Sequence, residues 1–157
     1  MRTYDLDQLR EFVRESERIE GIHREPRRAQ VRAHEHFLGL GEPDLQDLCN
    51  VALSLEPRAR LREQPAMNVR IANHRPPSGG PEIPSHAEFL VRQVVLNRGT
   101  PYRLHIEYET LHPFMDGNGR TGRLLWAWQM IHHDISPGID LGFLHAWYYQ
   151  GLDFGRA

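Results

Sequence analysis

The chain has 157 residues, 39% of them hydrophobic and 25% charged, with a formal net charge of −2; this suits one domain with its own core and gives no general pull towards nucleic acid or an anionic membrane. No apolar run reaches the ~20 residues of a membrane-spanning helix, and the opening "MRTYDLDQLREF" lacks the apolar stretch of a secretory leader. A single cysteine, Cys49, excludes an internal disulfide and fits a cytoplasmic protein, while the absence of lysine (all 19 basic residues are arginine) excludes Walker-type and Schiff-base chemistry.

Leu6, Leu9, Phe12, Val13 and Ile19 recur at helical spacing, which predicts an amphipathic helix over the first twenty residues, ended by Gly21. "EPRRAQVRAHEHFLGLG" predicts a second helix closing at Gly39 or Gly41, and "EPDLQDLCNVALSLEP" a third. From Pro57 to Pro84, proline and glycine clusters surround the alternating "NVRIAN", in which Val69 and Ile71 share a face; this reads as a hairpin or flap. Ser85 with Glu88 has the pattern of a capping box, predicting a helix from there to Gly99. Thr100-Pro101 is a further start signal. The stretch behind it is ambiguous, for Tyr102, Leu104, Ile106 and Tyr108 alternate like a strand whereas Leu104, Tyr108 and Leu111 fit a helix face. Leu124, Leu125, Trp128, Ile131 and His132 trace a helix over 119–133, and "DLGFLHAWYYQGL" predicts a last, aromatic one. The expected architecture is all-α with one small β element.

Residues 112–123 read "HPFMDGNGRTGR" and contain a literal G-x-G-x-x-G. A dinucleotide-binding turn would need a preceding strand, a βαβ repeat and an acidic residue about 20 positions later. Asp140 stands at a tolerable distance, but Pro113 and Asp116 fall where a buried strand should end, and no second βαβ unit is present. The neighbours suggest other chemistry. Gly117 and Gly119 permit positive φ, so N–H groups can converge on an anion at the start of the following helix. Arg120 and Arg123, three apart, can reach one ligand. Asp116 offers a hard oxygen to Mg²⁺, and His112 can accept a proton near neutral pH. Base, metal ligand, anion nest and two cations within twelve residues describe a nucleotide-transfer site.

The stretch resembles the signature of Fic proteins, His-x-Phe-x-Asp/Glu-Gly-Asn-Gly-Arg-x-x-Arg, at every defined position. The resemblance implies an all-α Fic fold over residues 1–157 and a helix, rather than a strand, before the motif. It implies a protein adenylyltransferase that moves AMP from ATP to a tyrosine, threonine or serine hydroxyl of a target protein or of itself, with release of pyrophosphate. On this chain, His112 would be the base and Asp116 would hold Mg²⁺ between the α- and β-phosphates. Gly117, Asn118, Gly119 and Arg120 would bind the phosphates, Arg123 the γ-phosphate, and Phe114 would anchor the loop. Fic-fold kinases carry lysine at the second glycine, where this chain has Gly119. Transfer of UMP or phosphocholine, and a nucleotide-binding pseudo-enzyme, are the alternatives; neither nucleic acid nor a membrane is expected as a partner.

"SERIEG", residues 16–21, matches the Fic inhibitory motif Ser/Thr-x-x-x-Glu-Gly/Asn. Taken alone, Ser16 and Glu20 are an i, i+4 pair of a solvent-facing helix. With the Fic signature, residues 1–21 become an inhibitory helix whose Glu20 would pair bidentately with Arg123, in the place of the γ-phosphate. In some relatives the same glutamate assists removal of AMP from the target. The flap, residues 66–76 with Asn68, Val69, Arg70 and Ile71, would hold the target segment by strand addition. His34-Glu35-His36 and His132-His133 lack ligand spacing on helices and are read as ordinary surface or core histidines.

Overall fold

A computed structural model describes residues 4–135 and, within them, six helices: α1 (Leu6–Ile19), α2 (Arg28–Leu38), α3 (Leu45–Leu55), α4 (Glu82–Val95), α5 (Pro101–Leu111) and α6 (Asn118–His132). The aromatic helix expected around Trp147-Tyr148-Tyr149 lies outside the described residues. The fold is all-α. Helix α6 packs against each of the other five, so it is buried nearly all round, with Arg120, Arg123 and Gln129 among its buried side chains. Leu124, Leu125, Ala127 and Trp128 are buried there against Leu9, Phe12 and Val13 of α1, Leu48 and Val51 of α3, and Leu104 and Tyr108 of α5. Each such aliphatic side chain contributes about 1.5–3 kcal/mol on burial. The Trp128 indole also donates to the Leu40 carbonyl at 2.8 Å, tying α6 to the end of α2.

Local signals explain most helix ends. Asp5 accepts from the Gln8 N–H at 2.8 Å while the Gln8 side chain reaches back to the Asp5 N–H, so α1 starts on a reciprocal cap. Gly21, at φ +77°, turns the chain out of α1. Thr100 caps α5 through the Arg103 N–H at 3.2 Å, with Pro101 at the first helical position.

The expected ends of α4 need correction. Ser85 is not an N-cap: α4 starts a turn earlier, at Glu82, and the Ser85 hydroxyl bonds back to the Pro81 carbonyl. Pro84 falls within the first turn, where its missing N–H has no intrahelical partner to lose. The same helix ends at Val95 rather than Gly99, because Asn97 takes the left-handed conformation at φ 53°. The alternation over 102–108 also misleads, for the segment is helical in α5. Leu104, Ile106 and Tyr108 are buried because α5 is sandwiched between α4 and α6, while Tyr102 is exposed; burial on two sides erases a single apolar stripe.

The region between α3 and α4 forms no continuous strand among the described residues. Ile71 and His74 exchange backbone hydrogen bonds across a two-residue turn, and Leu61 pairs with Phe114 in an isolated antiparallel bridge. Within 68–71 the alternation persists as burial: Val69 and Ile71 are half-buried, Asn68 and Arg70 exposed. The flap is thus a tight turn rather than a two-stranded ladder. Its tip is fastened by His74 Nε2 to the Thr110 carbonyl of α5 at 2.9 Å.

Candidate active site

The last residue to leave α5 is His112, at φ 53° and ψ 64°, a left-handed cap whose N–H bonds the Tyr108 carbonyl at 2.9 Å. This conformation is uncommon for a residue with a Cβ and needs support from its surroundings. Pro113 follows, and Phe114 drops wholly into the core. Gly117, at φ 80°, then turns the chain into α6. The amides of Asn118, Gly119 and Arg120, at the start of α6, have no intrahelical acceptor, which leaves them able to donate to an anion as helix N-termini do.

The structure reassigns two of the motif's small or polar residues. Gly119 is a helical residue without positive φ, so only Gly117 serves the turn. What Gly119 lacks is space: a Cβ there would collide with the Glu20 carboxylate and lie 2.9 Å from Arg123 Nη1. Asn118 is buried, and both ends of its amide are engaged by Phe114, accepting from its N–H at 2.8 Å and donating to its carbonyl at 2.7 Å. Its side chain staples the loop, which leaves its backbone N–H as the group able to donate to a ligand.

Arg123 is wholly buried against α1. Its Nε donates to the Ser16 hydroxyl at 2.9 Å, and Nη2 donates to the Ser16 carbonyl at 2.8 Å and to Glu20 Oε1 at 2.6 Å. Glu20 thus meets Arg123 through Nη2 alone instead of the bidentate fork expected, and Nη2 shares that role with the Ser16 carbonyl. A second contact runs parallel to it. Glu17, buried on α1, lies 3.8 Å from Arg120 Nη1 and accepts from Gln30 Nε2 at 2.7 Å. Glu17 and the C-cap Glu20 are three apart at the end of α1, as are Arg120 and Arg123 on α6; that matched spacing is the one trace of the Glu17 contact in the sequence.

His34, behind this seam, sits edge-on to Phe12 with Nδ1 at 2.7 Å from the Gln30 carbonyl. Burial pushes its pKa down to about 4, against the Gln30 hydrogen bond that raises it and with help from Arg120 and Arg123. His132 stacks on Trp128 and bonds the Leu38 carbonyl at 2.7 Å. Among the described residues no three potential ligands form a metal cluster. Burial likewise pushes the Cys49 thiol up to about 11, away from nucleophilic use.

On the open side of the loop, Asp116 is about half exposed, with a side-chain relative accessibility of 45%. One oxygen accepts from the Gly117 N–H at 2.7 Å, and Arg120 and Arg58 each stand 3.9 Å away. A lone accessible carboxylate at a helix N-terminus is the donor set that Mg²⁺ takes when phosphates supply the other oxygens. His112 turns Nδ1 towards Glu109, 3.4 Å from its carbonyl and 4.0 Å from its carboxylate. Glu109 is buried, and His105 approaches its other oxygen at 3.9 Å. Gly122 lets α6 close on this cluster, since a Cβ would strike Glu109 and lie 2.9 Å from the Tyr108 ring.

The Fic/DOC family model matches residues 100–130. Over that stretch the chain is similar to Fic/DOC proteins. The matched stretch takes in α5, the loop and most of α6, and leaves α1 and the flap outside. Fic proteins are typically transferases, and the reaction class that accompanies this domain is AMP transfer or a related nucleotidyl transfer. No relative among curated proteins matches the chain. Among the described residues no helix is long and apolar enough to cross a membrane.

Proposed function

We propose that this chain is a Fic protein and an autoinhibited protein adenylyltransferase, using ATP with Mg²⁺ in the cytoplasm. The observation that carries the reading is the joint between α5 and α6, where a partly exposed His112 and the accessible Asp116 flank the open N-terminus of α6. An ATP phosphate chain would lie along that N-terminus, on the amides of Asn118, Gly119 and Arg120, with Arg123 reaching the γ-phosphate. Asp116 would hold Mg²⁺, whose charge would offset that of the phosphates.

With Nδ1 of His112 committed to the Glu109 side, Nε2 takes the proton from the acceptor hydroxyl. The hydroxyl oxygen bonds to the α-phosphorus, the bond from that phosphorus to the bridging oxygen breaks, and pyrophosphate leaves. The protein supplies position and fixed charge, which is most of what phosphorus chemistry asks of it. The flap at 66–76, with Asn68, Val69, Arg70 and Ile71, lies one hydrogen bond from α5 and would present the target segment. Autoinhibition is supported by Glu20, which holds the same Arg123 nitrogen that a γ-phosphate would need. The position of Glu20 against Gly119 also supports a second reading, in which its carboxylate activates water to remove AMP from the modified target.

Incubation of the Glu20→Gly protein with α-labelled ATP should give labelled protein. Adding His112→Ala should lower the rate by about 10²–10⁴-fold, the usual worth of a general base, with ATP affinity retained. Undiminished labelling in the double variant would sink the assignment.

A further inference from the structure

Arg62 lies in the turn-rich stretch between α3 and α4, where sequence periodicity assigns it nothing. Its side chain is wholly buried. Among the described residues it has no carboxylate at ion-pair distance; every bond it makes is to a backbone carbonyl. Nε donates to the His112 carbonyl at 2.6 Å and Nη2 to the Leu111 carbonyl at 2.7 Å. Nη1 donates to Pro77 at 2.7 Å and to Met67 at 3.3 Å. The backbone adds to this. The Arg62 N–H bonds the Pro113 carbonyl at 2.9 Å, the Met115 N–H bonds Arg60 at 2.8 Å, and the Gly80 N–H bonds Arg62 itself at 2.9 Å.

Burying a guanidinium without a counter-ion is costly unless its donors are met. Here the acceptors include the last carbonyls of α5, which carry the negative end of the helix dipole. The planar fork matters as much as the charge, because five donors in one plane can bond three chain segments at once and an ammonium cannot. The bond from Nε fixes the peptide plane that follows His112, the residue held in a left-handed conformation. The bonds from Nη1 reach both ends of the flap, at Met67 near its start and at Pro77 just past its end.

We propose that Arg62 is a positioning residue for the transfer: one guanidinium holds His112 and the flap in a common frame, so that base and target segment keep their mutual distance. The inference rests on the reading of His112 as the base. It assigns Arg62 no contact with ATP, which separates it from Arg120 and Arg123.

The test is Arg62→Lys in the Glu20→Gly background, which keeps the charge and removes the fork. Self-labelling at saturating ATP should fall ten- to a hundredfold while the affinity for ATP changes less than threefold. The side-chain ¹H–¹⁵N resonances of His112, assigned by their loss in His112→Ala, should shift, and those of His34 should stay. This spectroscopic readout does not depend on adenylyl transfer, so an inactive parent would sink the functional reading and still leave the clamp tested. A rate within twofold of the parent, an ATP affinity that falls in parallel with the rate, or unmoved His112 resonances would each overturn the proposal. If Arg62→Lys melts below the assay temperature, Arg62→Gln is read by the same measurements; failure of both to fold also overturns it, in favour of a purely structural arginine.

Discussion

Arg123 and Arg62 are both wholly buried, yet they are held in opposite ways. Arg123 is gripped by Ser16 and by Glu20, whose side chain is still 32% exposed. Arg62 is gripped by four main-chain carbonyls from three segments. A carboxylate at the surface of a seam can be exchanged for another anion, and the guanidinium then keeps a partner throughout. Carbonyls fixed in the fold offer no such exchange. The first arrangement suits a contact that must open, the second a frame that must not. In the proposed reading, this domain joins a releasable cation to a permanent one across His112–Gly117.

Acid should attack the first of these regions through His34. Its pKa is depressed in the folded chain, so its contribution to stability is complete above the unfolded value near 6.5 and is lost as pH falls towards 4. The loss by pH 4 should be on the order of 3 kcal/mol. Thermal melts of wild type and His34→Gln between pH 7 and 4 check this; an equally steep acid limb in the variant would remove His34 as its source.

Glu20→Gly comes next. A hydrogen bond between two charged groups is worth about 1.5–3 kcal/mol, so labelling by α-labelled ATP should rise roughly ten- to a hundredfold. An unchanged rate would make the Arg123 contact as permanent as that of Arg62 and dissolve the contrast. Gly122→Ala probes the packing of α6 on α5, the helices that carry Arg123 and the Leu111 carbonyl held by Arg62. With Glu109 and the Tyr108 ring in the way, urea unfolding should show a loss of about 1–3 kcal/mol, against a gain if α6 can shift. The smallest change is Ser16→Ala, which removes one neutral acceptor worth about 1 kcal/mol. It should raise labelling about fivefold, and a rise as large as that of Glu20→Gly would shift the weight of the seam from the carboxylate to the hydroxyl.

Local information was legible and long-range information was not. Thr100-Pro101 announces the start of α5 because a cap and a fixed φ act within one turn. Leu9, Phe12 and Val13 announce the buried face of α1 for the same reason. Ser85 fails as a cap because Pro81–Pro84 already fit a first turn, and the alternation at 102–108 fails because α5 is covered on two sides. Arg62 could not be read at all, since its partners at Leu111 and His112 lie 49 and 50 residues away.

The sequence by itself determined the class of fold, the Fic signature at 112–123 and the chemical types gathered there, for each rests on residues within a few positions of one another. Only the tertiary structure decided how they are used. It drew Asn118 into stapling the loop and made Gly119 a matter of room for Glu20. It set Glu17 beside Arg120 and put Arg62 beneath the backbone of His112. Those outcomes depend on which buried polar groups meet across the packed helices. Packing chooses the neighbours, and each group withdrawn from water must find its partner among them.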